Sequence, residues 1–265
     1  MATILSAGDI AIIGVNADNP DNFSFVLLVD IEANTEIRFT DSGTTDSNNF
    51  RASEGALKYT APTNLSAGTV INYVNDAANF ASDNDGDVGN NGFNLSSSGD
   101  QVIAFQGAST NPTFIYAVHT NSTQFHATAD SSYNSAFPNG LVEGTSAVAV
   151  GQGSGAGDEW DNSVYNMSLT SGTKEEILAA ISNPSNWAGS NDALTIPTSS
   201  FSVGDSEDDT TAPQFNDTNP LTPVDDSTNA LIDADLTIKF NESVQKGTGN
   251  IVIKKTDDES DVESF

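Results

Sequence analysis

Apolar residues in this chain come in short runs, each cut off by Asn, Asp, Ser, Gly or Pro, and that punctuation favours strands over long helices. A half-buried strand needs only a handful of alternating residues, whereas a helix needs roughly ten or more with a period of about 3.6. Strands are expected at Ile10 to Val15, Phe23 to Val29, Glu36 to Thr40, Ala56 to Tyr59, Thr69 to Val74, Gln101 to Phe105, Thr113 to Val118 and Ser146 to Val150. The Phe23 to Val29 run, flanked by Asp, Asn and Pro, reads as a strand buried on both faces. Its neighbour alternates, with Ile37 and Phe39 facing in. The expectation is an all-β antiparallel sandwich with long, decorated loops.

One helix interrupts the pattern. Thr173 to Ser182 sets Ile177, Leu178 and Ile181 on one stripe, with Ser171 or Thr173 as cap, early acids that suit the helix dipole, and Pro184 as a stop. Trp187 is expected to pack beneath it, and Leu194 to Ile196 and Phe201 to Val203 to close the domain. Asp205 to Thr211 holds no large apolar residue and reads as a linker. The boundary is placed at 207/208, giving a first domain over 1–207 and a second over 208–265. In the second, Ala234 to Phe240 and Gly247 to Lys255 read as strands, and Phe265 as part of a third. A sandwich domain needs about seven strands over roughly 100 residues, so this domain is expected to be incomplete and the chain to be the front of a longer protein.

Eight basic residues stand against 37 acidic ones, a formal net charge of -29. Such a surface repels phosphate backbones and anionic headgroups, so neither nucleic acid nor membrane is an expected partner. Carboxylates in this excess gain from divalent cations, although plain solubility accounts for the charge equally well. The absence of cysteine excludes disulfides and thiolate chemistry. Met1 to Asp9 lacks the basic and apolar regions of a cleaved leader, and no apolar run approaches the roughly 18 residues of a membrane span.

The best chemical motif is Asp83-Asn84-Asp85-Gly86-Asp87, three carboxylates at alternate positions with a glycine to turn the backbone. Asp83, Asp85 and Asp87 could converge on calcium, a hard cation that takes about six to eight oxygens. The run departs from an EF-hand loop, whose sixth and twelfth places here hold Val88 and Asn94. A solvated acidic loop is the alternative. A second possible grouping is Asp18, Asp41 and Glu54, which turn-capping explains as well. The glycine run Gly151 to Gly157 lacks the Lys-Ser/Thr of a phosphate cradle and leads into Asp158-Glu159-Trp160-Asp161, so it reads as a plain loop. His119 and His126 read as structural or surface side chains, since nothing in the spacing sets either beside a nucleophile. Two Trp and five Tyr are thin for a sugar-cleft platform, and Trp160 and Trp187 are expected in the core.

Phrases from Ala7-Gly8-Asp9-Ile10 through Phe39-Thr40-Asp41-Ser42-Gly43, with Gly99-Asp100-Gln101-Val102-Ile103 later, resemble an N-terminal module of large secreted bacterial proteins, notably cyanobacterial ones, and the lamin-tail type of β-sandwich. Asp209-Thr210-Thr211-Ala212-Pro213, then Leu236 to Val244, then Gly247 to Lys254, are similar to a bacterial Ig-like repeat of surface, motility and S-layer-type proteins and giant adhesins. The resemblance implies extracellular display, type I export without an N-terminal signal peptide, calcium-binding RTX repeats elsewhere in the parent protein, and neighbouring Ig-like domains as partners. A non-catalytic structural or adhesive role follows, with self-association at a sheet edge or a cell-surface polysaccharide as further partners. The alternative is an accessory region of a secreted esterase, phosphatase or nuclease whose catalytic domain lies beyond residue 265, since the same modules decorate such enzymes.

Overall fold

Two large β-sheets face each other across a shared core, because each contains strands whose alternate residues are apolar and must be covered. A computed structural model describes residues 1–45, 49–52, 54–83, 88–89, 91–152, 159–204, 214, 221–222, 237–240, 252–254 and 260–264. The chain divides into two compact units, Met1–Glu207 and Asp208–Phe265.

The strands of the first unit are β1 (Ile10–Asn16), β2 (Asn22–Leu27), β3 (Glu36–Thr40), β4 (Ala56–Thr60), β5 (Val70–Asn72), β6 (Phe80–Ser82), β7 (Gln101–Gln106), β8 (Thr113–His119), β9 (Ala147–Ala149), β10 (Asn162–Tyr165), β11 (Ser171–Thr173), β12 (Trp187–Ser190) and β13 (Ser202–Gly204). One sheet runs β12-β10-β1-β2-β5 and the other β6-β4-β3-β7-β8-β9. Nearly all pairs are antiparallel, but β9 joins β8 in parallel and β11 joins β13 in parallel, so the sandwich is mixed at its margin. The edge strands have three or four residues, a length that limits edge-to-edge pairing.

All eight expected strands form within a residue or two, and Ile37 and Phe39 face in. The run is buried from Phe23 to Leu28, with Val29 half-buried, yet β3 is its partner across the core and not along the sheet. Phe39 sits 4.9 Å from Phe23 and 4.7 Å from Phe25, ring centre to ring centre. The expected closing strand at Leu194 to Ile196 is irregular chain instead. It crosses β1 where Gly14 leaves room, with the Ser24 hydroxyl donating to Pro197 O at 2.8 Å.

The six-stranded sheet is buried on both faces along β7, β8 and β9, while Glu36, Arg38, Lys58 and Ala81 leave the second face of β3, β4 and β6 partly exposed. Val102 and Ala104 of β7 join the inter-sheet core, while Ile103 and Phe105 join a second core with Phe50, Phe114 and Leu141. A bulge in β8, where Ile115 is the extra residue opposite Ala104 and Phe105 of β7, turns both Ile115 and Tyr116 inward.

Among the described residues one α-helix, α1 (Lys174–Ile181), is present, and none is long and apolar enough to cross a membrane. Its start is a capping box: Glu176 N donates to Thr173 Oγ1 at 3.1 Å and Thr173 N donates to Glu176 Oε2 at 3.0 Å. Ile177, Leu178 and Ile181 are buried, and Leu178 lies where a side chain on Gly8, with φ +82, would stand. Trp187 is half-buried, its Nε1 donating to Ile181 O at 2.6 Å.

The second unit shows β14 (Leu221–Thr222) antiparallel to β15 (Thr237–Ile238) and β16 (Val252–Lys254) antiparallel to β17 (Asp261–Ser264).

Because Phe39 fills the middle of the inter-sheet aromatic cluster, Phe39→Ala is expected to cost about 3 to 5 kcal/mol, read as a lower urea midpoint at unchanged slope.

Candidate functional site

Strand registers decide where the carboxylates gather. In the six-stranded sheet, Thr40 faces Ala56 and Ile103, Leu57 faces Ser82, and Gln101 faces His119, so Asp41, Glu54, Asp83, Asp100 and Thr120 share one end. In the five-stranded sheet, Asn16 faces both Asn22 and Asn162, which brings Asp18, Asp21 and Asp161 together. These two ends are the same end. Asp41 Oδ2 accepts from Asn94 N at 2.6 Å, and Asp21 Oδ2 accepts from the next amide, Leu95 N, at 2.8 Å. Trp160 N donates to Thr120 O, while Asp161 O accepts from Ala17 N.

Two of these acids lie inside. Asp41 is fully buried, and its Oδ1 accepts from Gly55 N at 3.2 Å. Burial pushes its carboxyl up to about 7, with the Glu54 charge adding to the rise. Asp100 accepts from Ser96 N at 2.7 Å, from Gln101 N at 2.8 Å and from Gln101 Nε2 at 2.7 Å. Burial, then the charge of Asp41, holds it well above the carboxylate range. Gln101 Nε2 also donates to Asp41 O and to Ser132 O. The turn before Asp100 needs glycine, because Gly99 has φ +75 and a side chain there would strike the Asn121 backbone. These carboxylates act as acceptors that fasten loops to the sheet end.

The imidazoles stand beside them. His119 is fully buried, stacked on Phe125 at 5.3 Å and met edge-on by His126 at 5.4 Å. Both of its ring nitrogens are buried. Burial, then the His126 charge, lowers its pKa to about 3, so it is neutral at ordinary pH. Ser122 Oγ lies 3.5 Å from His126 Nε2, but the hydroxyl donates to Gln124 O. The serine proton is therefore not in the histidine's hands, and the arrangement is that of a packed loop.

Of the residues nominated by the sequence, Asp83 forms an ion pair with Arg38 Nε at 2.6 Å. Asp85 and Asp87 lie outside the described residues, as do residues 153–157 of the glycine run and Asp158 after it. Asp18, Asp41 and Glu54 do share the loop end but have separate partners: Asp18 accepts from Asn162 Nδ2 at 2.9 Å, Asp41 is interior, and Glu54 meets Arg51 at 3.3 Å. Among the described residues no three acids or histidines form a metal-binding group. Trp160 is half-buried and not in the core, its ring lying where Gly189 leaves room. Sequence reasoning did not nominate Asp100 and Gln101 as site residues; the glycine before them was the available signal.

Fold and site together define a β-sandwich module with an acidic loop end. No family model, no curated protein and no solved structure matches the chain.

The buried groups set opposing pH dependences. Asp41, raised from 3.8 to about 7, contributes stability that is full below pH 4 and lost as pH rises through 7. His119, lowered from 6.5 to about 3, contributes stability that is full above 6.5 and lost as pH falls towards 3. Asp41→Asn should therefore gain stability relative to wild type as pH rises from 4 to 7. His119→Phe should gain as pH falls from 6.5 to 3, each by up to about 1.4 kcal/mol per pH unit in urea titrations.

Proposed function

We propose that this chain is a non-catalytic structural or adhesive module of a secreted, calcium-dependent bacterial cell-surface protein of the S-layer or adhesin type. The observation that carries this reading is the commitment of Asp41, Asp100, the Gln101 side-chain N–H groups and Ser122 at the loop end to the protein's own backbone. Asp41, Asp100 and Gln101 fasten loops, and Ser122 donates to a carbonyl, where a catalytic centre would leave such groups facing a substrate. Load passes through laddered strands and a core buried on both faces of one sheet. The unit Asp208–Phe265, with its two antiparallel pairs, is read as part of an Ig-like domain and as the joint to neighbouring domains of the same kind. Edge strands of three or four residues offer little ladder for self-association, so cohesion is assigned to domain neighbours and to surface ligands.

Calcium belongs to this reading through the crowding of acids. Asp161 has a raised pKa from burial and from the charges of Asp18 and Glu159, and acids that repel one another in this way are relieved by a divalent cation. The Asp83, Asp85 and Asp87 loop would supply oxygens once Asp83 exchanged Arg38 for the ion.

Millimolar calcium is expected to raise the melting temperature of the chain, chelator to reverse the rise, and Asp85→Asn to blunt it. The same protein should leave phosphoester, carboxyl-ester and glycoside substrates intact. Turnover abolished at His119 or His126 would make it an enzyme, and a melt indifferent to chelator would remove the calcium.

A further inference from the structure

Between the two sheets' loops, on the β2 and β5 side of the acidic end, a cleft of about 590 Å³ opens to solvent. Its volume falls in the range of roughly 300 to 1,000 Å³ typical of small-molecule sites. Three loops wall it: residues 17–21 between β1 and β2, residues 73–77 after β5, and residues 93–97 ahead of β7. Each is tied to another part of the fold. Asp21 Oδ2 accepts from Leu95 N at 2.8 Å, Asn22 Oδ1 accepts from Val74 N at 3.3 Å, Asp76 Oδ2 accepts from Asn72 N at 2.9 Å, and Asn94 N reaches the buried Asp41. The cleft is thus preformed, and a ligand would not bear the cost of ordering it.

Two aromatic rings form its floor. Tyr73 stacks on the buried Phe23 at 5.6 Å and 20°, and Phe93 meets Phe23 at 5.4 Å and Tyr73 at 6.0 Å. Both rings are half-buried, backed by the core and bordering the cleft. Asn19, Asp21, Asn94 and Ser97 complete its polar lining.

This combination selects among ligands. A net charge of -29 repels anions, and Asp21 on the wall does so at close range. A wholly apolar ligand would strip water from a carboxylate and two amides without replacing the hydrogen bonds. A pyranose meets every requirement: its C–H face lies on an aromatic ring, and its hydroxyls donate to the carboxylate and exchange bonds with amides and a hydroxyl.

We propose that this cleft is a binding site for a neutral polysaccharide segment, with Tyr73 and Phe93 as the stacking floor and Asp21 as the principal hydroxyl acceptor. The assignment rests on the non-catalytic reading above, and it names the adhesive partner: the sugar is held, not cleaved.

The test titrates the whole chain with cellotriose, maltotriose, chitotriose and mannotriose, followed by calorimetry and by ligand-observed NMR, with a heparin-derived oligosaccharide as the anionic control. At least one neutral trisaccharide should bind at millimolar concentration or better, and the heparin fragment should not. Asp21→Asn keeps an acceptor for Leu95 N, and Tyr73→Leu keeps an apolar cover over Phe23. Each should weaken binding about tenfold while the melting curve stays cooperative. The cleft assignment is overturned if none of the four sugars binds the folded chain, if both variants bind at full strength, or if the heparin fragment binds equally well. Binding followed by hydrolysis would keep the saccharide site and remove the non-catalytic reading. No binding by a chain that also turns over no substrate would remove the site and leave that reading standing.

Discussion

The six-stranded sheet is buried on both faces along β7, β8 and β9, and much of the remaining structure answers that constraint. Its first face meets the five-stranded sheet, and among the described residues its second is covered along β7 to β9 by irregular chain carrying Phe50, Phe125, Phe137 and Leu141. Irregular chain brings backbone groups that have no ladder partner, and these must be satisfied locally. Thr44 N donates to Ser135 Oγ at 2.9 Å, Thr44 Oγ1 donates to Ala136 O at 2.7 Å, and Asp130 N donates to Asn134 Oδ1 at 3.0 Å. The abundance of Ser, Thr and Asn is therefore tied to the covering of a sheet, and not to solubility alone.

The same logic explains why a protein so rich in acids buries some of them. A carboxylate accepts several hydrogen bonds at once, so one Asp can gather amides from loops that no strand pairing unites. Asp41 joins the β4 loop to the strap at Asn94, and Asp100 holds Ser96 and Gln101. The cost appears as raised pKa values, and it is tolerated because each acid accepts at least two backbone amides. Fastened loops give a rigid rim, and a rigid rim is what makes the neighbouring cleft a formed site.

Legibility followed side-chain chemistry. β1, β2, β3, β7 and β8 were readable because their apolar residues declare burial directly. β10 was not, since Asn162 and Ser163 look like loop residues yet are fully buried, Asn162 Oδ1 accepting from Ala17 N at 2.9 Å. Leu194 to Ile196 erred the other way: its apolar residues cover β1 without joining a ladder, and Leu194 N bonds to the Asn16 side chain. The helix was legible to its capping residue, because the box that starts it is a contact between residues three apart. Of the site, Asp41, Glu54, His119 and His126 could be named as candidates, but their surroundings could not.

By itself, the sequence determined the apolar strands β1 to β5 and β7 to β9, where the one described helix starts, and that the surface repels anions, because these depend on neighbours along the chain and on summed charge. Tertiary structure alone decided that β3 crosses the core from β2, that Asp41 and Asp100 lie inside, and that Tyr73, Phe93 and Asp21 border one cleft. Those outcomes depend on the stacking of two sheets and the register within each, which sets residues 20 to 74 positions apart in contact and leaves no periodic trace in the chain.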